Sequence, residues 1–371
     1  MKRDLLGINN GNFFLTLGKC IFLVEIPQIV KNVKIESICT QKMAKRLSIT
    51  DYIEGLRNSD IATLSKAITL AESELEEDNV LARTLLEQIM PFTGNSLRIA
   101  ITGVPGAGKS TFIEAFGKML TSMGKKIAVL AIDPSSSRSK GSIMGDKTRM
   151  EELSRDPNAF IRPSPSGKSL GGITRRTRES ILLCEAAGFE IILVETVGVG
   201  QVEISVQSMV DFFMLLTITG AGDELQVLKK GVIELADLII INKADGHNIL
   251  KAKTTQAEIQ NVMDIFPLPD SFWKARVLTA SAQQQTGIKE AWQVIEDYTE
   301  KVKSNGYFEN NRKLQNIKWM KEAISEMLEQ YFLASLSMVN EKEQIEKQVM
   351  EGKIPPFNGA LKLFNIFKAG G

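Results

Sequence analysis

The sequence predicts an α/β fold in which a mainly parallel sheet is flanked by helices, and three observations lead to this prediction. Short apolar runs alternate with helical segments through the middle of the chain. Most runs are rich in β-branched or other apolar residues and show little polar alternation, which is typical of strands buried on both faces. A glycine-rich loop joins the first run to a helical segment. The predicted strands cover residues 97–102, 127–132, 159–162, 191–195, 212–217, 238–242 and 276–279.

Helical segments are predicted before and after this sheet. From residue 51 to residue 90, apolar side chains recur at helical spacing, and Pro91 and Gly94 end the pattern. Between Ile317 and Met338, apolar residues step by three and four, which suits either a seam between the helices of two chains or burial within one chain. We therefore predict a helical region over residues 43–94, a sheet domain over 95–309 and a helical arm over 310–371.

Residues 1–42 are interpreted as an extension. An apolar stretch over residues 13–30 is interrupted by Lys19, Glu25 and Pro27, which makes it a poor transmembrane helix, and no small-x-small cleavage site follows it. Met43 begins a run that reads like a natural protein start. We therefore expect residues 1–42 to be either poorly ordered or a translated upstream region.

Composition excludes several classes of protein. The 371 residues carry 45 Lys+Arg against 44 Asp+Glu, and a net charge of +1 gives no reason to expect nucleic acid or an acidic membrane as a partner. Three cysteines exclude a disulfide framework, and a single histidine disfavours a His/Cys metal cluster. We expect a cytoplasmic protein of about two domains.

The glycine-rich loop after the first strand fits the pattern G-x-x-x-x-G-K-[ST]. In a strand–loop–helix context, its backbone N–H groups and the start of the helix surround phosphate groups. Lys109 would reach the β- and γ-phosphates, and the Ser110 hydroxyl would bind Mg²⁺. The pattern predicts a P-loop NTPase. Its residues are Gly103, Val104, Pro105, Gly106, Ala107, Gly108, Lys109, Ser110 and Thr111.

A second motif predicts the base. The run from Asn242 to Asp245 reads N-K-x-D at the end of a predicted strand. The aspartate carboxylate would accept two N–H groups from guanine, and adenine offers neither donor. Lys243 would lie along the base, and Asn242 would connect this loop to the P-loop. After the last strand come Ser281 and Ala282, where the Ala282 N–H could donate to guanine O6. The sequence thus predicts GTP and GDP rather than ATP.

Acidic residues after two strands are candidate metal ligands. Glu195 opens an acidic-x-x-Gly pattern after the strand at 191–195, and its carboxylate would orient Mg²⁺ or a bound water. Asp133 and Asp146 are further candidates, with turn and capping roles as the alternative. Together with Ser110, these residues form the predicted metal site.

The catalytic residues are less well defined by the sequence. The N–H of Gly198 would contact the γ-phosphate, and no glutamine directly follows it. Gln201 and Glu203 both lie near enough in the sequence to position the hydrolytic water. The candidate catalytic residues are Lys109, Glu195, Gly198 and Gln201. Arg175, Arg176 and Arg178 would either offer charge to phosphates or a partner, or form a solvated basic face. Hydrolysis without a partner is expected to be slow.

Taken together, these motifs resemble the methylmalonyl-CoA mutase-associated GTPases, which were long catalogued as arginine/ornithine transport-system kinases. The resemblance extends from Met43 to the C-terminal tail, and the runs at 141–150 and 195–201 are the most specific to that family. The run at 166–172 and Val202 depart from its pattern, and both lie in predicted switch regions. The resemblance is carried by residues 103–111, 133–137, 141–150, 162–166, 195–201 and 242–245.

The resemblance implies a GTP-hydrolysing chaperone. Such a protein protects an adenosylcobalamin-dependent acyl-CoA mutase, gates the loading of its cofactor, and forms a homodimer through the C-terminal arm. Two alternatives are a nickel-delivery GTPase and a transport-system kinase. Scarce histidine and cysteine disfavour the first. Guanine specificity and the lack of protein-kinase loop motifs in the sequence disfavour the second.

Overall fold

A computed structural model describes residues 7–9, 12–17, 20–24, 46–132, 150–164, 170–196, 202–219, 230–334 and 336–370. It divides into two units, Met1–Ser48 and Ile49–Gly371. Among the described helices, none is both long enough and apolar enough to span a bilayer.

The first unit contains a three-stranded antiparallel sheet that the sequence analysis did not predict. Its strands are β1 (Gly7–Asn9), β2 (Asn12–Leu17) and β3 (Cys20–Val24), paired in that order. In the sequence, Asn10-Gly11 stands between β1 and β2, and this dipeptide is a strong signal for a two-residue hairpin. The overall apolar character of the stretch masks this local turn signal.

The second unit is built around a seven-stranded sheet in which every pair is parallel. The strand order is β10-β9-β8-β4-β7-β5-β6. This confirms the predicted fold, and each predicted strand starts where the structure places it. The strands are β4 (Leu97–Gly103), β5 (Ile127–Ile132), β6 (Ala159–Ser164), β7 (Ile191–Thr196), β8 (Phe212–Ile218), β9 (Leu238–Asn242) and β10 (Arg276–Thr279).

Helices cover this sheet and connect its strands. The helix after β4 is anchored by Phe112, Ile113 and Phe116, whose side chains are fully buried. Because β4 lies between β7 and β8, the loop after β4 sits where the chain switches from one side of the sheet to the other, which is where ligands bind in such folds. The helices of the sheet domain are α4 (Lys109–Ser122), α5 (Leu170–Ala186), α6 (Val202–Gln207), α7 (Lys230–Glu234), α8 (Ile249–Ile265) and α9 (Ile288–Ser304).

Three helices precede the sheet: α1 (Ile49–Arg57), α2 (Ile61–Glu72) and α3 (Glu76–Ile89). They pack against α5. Asp60 caps α2 by accepting the N–H groups of Ala62 and Thr63 at 3.1 and 3.0 Å. At the other end of α2, Glu72 pairs with Arg162 of β6 at 2.5 Å. The N-terminal helices are thus fixed to the edge of the sheet.

The C-terminal helices are α10 (Tyr307–Ala334), α11 (Leu336–Met350) and α12 (Pro356–Gly370). The first part of α10 is docked by Arg312, which donates to both carboxylate oxygens of Asp211 at 2.7 and 2.6 Å. Arg312 also donates to the carbonyl oxygens of Gly94 and Ser96, each at 2.6 Å. This one side chain therefore joins α10 to segments before β4 and before β8.

A stripe of large apolar side chains on α10 remains exposed in the single chain. Their exposed fractions range from 44% to 70%. Over residues 317–331, the spacing of three and four predicted in the sequence therefore corresponds to side chains that the described part of the chain leaves exposed. We call this set the α10 stripe: Leu314, Ile317, Met320, Ile324, Met327, Leu328 and Tyr331.

Candidate nucleotide-binding site

The P-loop connects β4, which ends at Gly103, to α4, which begins at Lys109. A Cβ atom at Gly103 would lie 2.0 Å from the carbonyl oxygen of Leu216 on the neighbouring strand β8. Gly108 has a φ of +85°, and a Cβ there would lie 2.8 Å from Asn242 Nδ2. Only glycine fits these positions without displacing the sheet or the base-binding loop, which gives the sequence pattern its physical reason.

Lys109 lies across its own loop. Its Nζ donates to the carbonyl oxygens of Gly103 at 2.8 Å and Val104 at 3.2 Å. Burial lowers the pKa of the Lys109 ammonium group, while the carboxylates of Glu195 and Glu203 oppose that shift. A partly buried cation held by neutral carbonyls gains stronger partners when phosphate oxygens are within reach, because hydrogen bonds between charged groups are the stronger kind.

Ser110 and Glu195 come together at the carboxyl ends of the central strands. The Ser110 hydroxyl donates to Glu195 Oε1 at 3.0 Å. Beside them, Thr196 Oγ1 donates to Thr102 Oγ1 at 2.7 Å and joins β7 to β4. A hydroxyl and a carboxylate are the oxygen ligands that Mg²⁺ prefers, and Mg²⁺ usually completes its shell with phosphates and water. The donor set therefore fits the predicted metal.

Asn242 connects the two ligand-binding loops. Its side-chain Nδ2 donates to the carbonyl oxygen of Ala107 in the P-loop at 2.8 Å. Its Oδ1 accepts the backbone N–H of Ala282 at 3.2 Å. The sequence analysis assigned that N–H to guanine O6; here it is engaged with Asn242 through a long bond. Donation to guanine O6 stays a prediction and requires this bond to be exchanged.

Asp245 is held in place by the loop after β10. Its Oδ2 accepts the hydroxyl of Ser281 at 2.5 Å, and the Ala244 N–H donates to the Ala280 carbonyl oxygen at 2.9 Å. Lys243 is exposed and has a φ of +60°, a conformation uncommon for lysine, which turns the chain away from β9. These contacts orient the Asp245 carboxylate.

Several predicted site residues lie outside the part of the chain that the structure describes. These are the candidate metal ligands Asp133 and Asp146 and the candidate catalytic residues Gly198 and Gln201. Their roles stay predictions. Within the described ranges, no group of three or more His, Cys, Asp or Glu side chains is arranged to hold a metal ion.

Two of the arginines on α5 have other roles than the sequence analysis considered. Arg175 pairs with Glu179 at 2.8 Å. Arg178 is buried, pairs with Glu322 of α10 at 2.6 Å and donates to the Ser208 hydroxyl at 2.8 Å. Arg178 is thus neither a solvated surface charge nor directed at phosphates; it joins α5 to α10.

Two roles at the site were missed by sequence reasoning. Ser281 was predicted to bind the ligand, which stays a prediction, and the contact of its hydroxyl with Asp245 was not foreseen. Glu203 was considered only with Gln201 as a residue near the hydrolytic water, whereas its side chain is buried and its charge opposes the lowering of the Lys109 pKa by burial. An acidic residue at the start of a helix that follows a candidate switch loop was the available signal.

A P-loop on the central strand, a hydroxyl–carboxylate pair and an N-K-x-D loop fixed to both neighbours define a P-loop GTPase. Comparison with known proteins identifies the family. The model of a family described as "Methylmalonyl Co-A mutase-associated GTPase MeaB" matches residues 64–337, and the chain belongs to that family. It is a GTPase and hydrolyses GTP to GDP and phosphate.

Individual relatives agree with this assignment. A "Putative GTPase" of Caulobacter vibrioides is 47% identical over 88% of this chain and 99% of its own length. "GTPase ArgK" of Escherichia coli is 43% identical over 86% of this chain and 97% of its own. "Methylmalonic aciduria type A homolog, mitochondrial" of Mus musculus is 42% identical over 89% of this chain and 80% of its own length.

A solved structure has the same fold. A protein named "LAO/AO transport system kinase" superposes with a TM-score of 0.70 and 38% identity. The match covers 86% of this chain and 97% of that one.

Proposed function

We propose that this GTPase is a chaperone of an adenosylcobalamin-dependent acyl-CoA mutase of the methylmalonyl-CoA mutase type, which it protects and whose cofactor loading it gates. The observation that carries the proposal is the family match over residues 64–337, because the family's description names association with methylmalonyl-CoA mutase. The name of the mouse relative also refers to methylmalonic aciduria and supports the same client.

In this proposal, the P-loop backbone and Lys109 bind the phosphates of GTP or GDP, and Ser110 and Glu195 hold Mg²⁺. When bound, Mg²⁺ neutralises charge on the β- and γ-phosphate oxygens. Asp245 recognises guanine, and Ser281 keeps its carboxylate oriented. Asn242 bonds to both loops, which supports a coupled placement of base and phosphates.

We further propose that two chains form a homodimer through the C-terminal arm. The exposed α10 stripe supports this, because large apolar side chains at helical spacing are the usual content of a helix–helix interface. From composition, we place the protein in the cytoplasm, without nucleic-acid or membrane partners. Subcellular fractionation tests the location.

The experiment is a hydrolysis assay with and without the client. The full chain is mixed with a purified adenosylcobalamin-dependent acyl-CoA mutase, complex formation is measured by co-purification, and phosphate release from GTP is followed. We expect a complex and a higher rate of hydrolysis. The Lys109→Ala variant, which is expected to bind GTP weakly, is the control for contaminating GTPases. If no acyl-CoA mutase binds the chain or changes its rate, the proposal is wrong.

Two further functions are tested with the same preparation. The name of the protein in the solved structure supports a transport-system kinase as the second candidate. Transfer of labelled phosphate from ATP to a transport protein would favour it. Tight binding of nickel at one ion per chain would favour the nickel-delivery alternative.

A further inference from the structure

A cavity lies at the amino edge of the sheet, where β8 and β9 begin, whereas the P-loop follows the carboxyl end of β4. Its volume is about 160 Å³, enough for a small organic molecule. Asp237 stands directly before β9 and lines the cavity together with Phe266, Trp273, Tyr298 and Tyr307. Asp211, which is paired with Arg312, and Glu234 also line it. The cavity thus combines carboxylates with several aromatic rings, away from every residue assigned to the nucleotide.

The Asp237 carboxylate lies next to the two tyrosines. Burial is the larger cause of the raised pKa of both phenols, and the charge of Asp237 raises it further. Its Oδ2 accepts the backbone N–H of Phe213 at 2.8 Å. Among the residues that the structure describes, no cation forms an ion pair with it. Burial raises the pKa of Asp237 from 3.8 to about 7.

Asp237 is partly buried, and a carboxylate held largely away from water without a counter-ion is unusual, because such charges are normally paired. Lys274 also lines the cavity, but its Nζ donates to the carbonyl oxygen of Asp264 at 3.2 Å. No cation in the described part of the cavity pairs with Asp237, so a proton neutralises its carboxylate below about pH 7 and the group is charged above that pH. The position is therefore complementary to a positive charge supplied from outside the chain.

Two of the aromatic walls, Tyr298 and Trp273, are held by hydrogen bonds at their polar ends. Tyr298 donates its hydroxyl to the Asp211 carbonyl oxygen at 2.9 Å, and Trp273 donates its Nε1–H to the Asp237 carbonyl oxygen at 3.0 Å. The two rings meet edge to face, 5.4 Å apart. The Arg276 Cζ lies 4.7 Å from the centroid of the Trp273 ring, so one ring of this cluster already contacts a cation. Ring faces attract cations electrostatically.

We propose that this cavity binds a small organic cation, whose primary ammonium group pairs with Asp237 and lies against the ring of Tyr307. The site is separate from the nucleotide site and nothing in the proposed chaperone function requires it. Because Tyr307 belongs to α10 and Asp237 to the sheet domain, such a ligand contacts both the sheet and the arm.

The test uses the full chain and n-butylammonium as the probe, with n-butanol as the neutral analogue, in isothermal titration calorimetry. We expect saturable binding of the amine and none of the alcohol. Asp237→Asn keeps an oxygen that can accept the Phe213 N–H but removes the charge. It should weaken binding of the amine by about tenfold or more. Tyr307→Leu should weaken it by about threefold, as expected for loss of a cation–π contact.

Glu258→Gln, which removes an exposed carboxylate on α8, is the matched control and should leave amine affinity unchanged. Each variant is also titrated with GTP, whose affinity should not change. Absence of saturable amine binding to the wild-type chain, or wild-type amine affinity in a folded Asp237→Asn variant, overturns the proposal. Binding of a lysine-containing peptide but not of n-butylammonium also overturns it, because the site would then be a protein-docking surface.

Discussion

Single residues at the nucleotide site hold one another in position. Ser110 bonds to Glu195, and Asp245 to Ser281. Asn242 bonds to backbone atoms of two loops. Such prior orientation matters because a charged group that is already correctly oriented costs little free energy to reorganise when its ligand binds. At this scale, the effect of a substitution follows from the partner it removes.

Lys109→Ala removes the main side-chain partner of the phosphate charge. We expect affinity for GTP to fall on the order of 10- to 100-fold, in line with the loss of hydrogen bonds between charged groups. Titration with a fluorescent GTP analogue measures it. Lys118→Ala, at an exposed lysine of the same helix, is the matched control. Equal affinities of the two variants would contradict the assigned role of Lys109.

Asp245→Asn should change the preferred base. The new amide can donate to the C2 oxygen of xanthine, whereas the carboxylate is proposed to accept hydrogen bonds from N1 and N2 of guanine. We expect weaker binding of GTP and tighter binding of xanthosine triphosphate, both measured by competition with a labelled nucleotide. Asp264→Asn, at an exposed position on α8, is the control. An Asp245→Asn variant that kept the wild-type preference for GTP would show that the base is recognised elsewhere.

Asp237 makes a prediction about stability and pH. Its pKa is raised by burial from 3.8 to about 7, so the folded chain binds a proton in a pH range where the unfolded chain has lost it. Its contribution to the free energy of unfolding is therefore present below about pH 4 and is lost as the pH rises towards 7. Asp237→Asn should remove this dependence. Urea unfolding at a series of pH values tests it, and identical slopes for both chains would refute it.

At the scale of helices and strands, ion pairs between residues far apart in the sequence hold together elements that the sequence predicts only individually. Arg312 joins α10 to Asp211, and Arg178 joins α5 to Glu322 of α10. The strands were predicted because each is a buried apolar run whose character is local. The partners of Arg312 and Arg178 lie 101 and 144 residues away, and no local pattern encodes such pairs.

The same reasoning applies to the candidate site. The P-loop and N-K-x-D motifs were readable because each is a short run with a fixed chemistry. The Ser281–Asp245 contact joins positions 36 residues apart, and it became visible only once β9 and β10 were paired. The strands at residues 7–24 were missed for a different reason, since their Asn-Gly turn signal is local and was outweighed by the interpretation of residues 1–42 as an extension.

Arg312→Ala tests the docking of α10. The substitution leaves Asp211, which is 2% exposed at its side chain, without its ion-pair partner. Breaking a buried pair from one side typically costs about 3–5 kcal/mol of unfolding free energy. Urea denaturation measures the loss. Lys313→Ala, the exposed neighbour on α10, should change stability by about 0.5 kcal/mol or less. Similar stabilities of the two variants would mean that Arg312 does not anchor the helix.

At the scale of the whole molecule, the α10 stripe leaves seven large apolar side chains of one helix exposed. Ile324→Asp places a charge in its centre, and the proposed homodimer should then dissociate into monomers because a carboxylate is costly to bury in an apolar interface. Sedimentation velocity reports the mass. Lys318→Asp, which lies outside the stripe on the same helix, should remain dimeric. A wild-type chain that sediments as a monomer at micromolar concentration would rule out the interface.

The position of β4 between β7 and β8 affects the order in which the nucleotide site is completed during synthesis and folding. The P-loop and the candidate metal ligands are complete once synthesis has passed Glu195, but Asp245 and Ser281 come later, after strands on the other side of β4. A fragment ending after β7 therefore holds half a site. Guanine nucleotide can stabilise only the assembled sheet, since ligand that binds the native state shifts the folding equilibrium by mass action. Two co-expressed fragments divided between β7 and β8 should thus complement each other better when GTP is abundant.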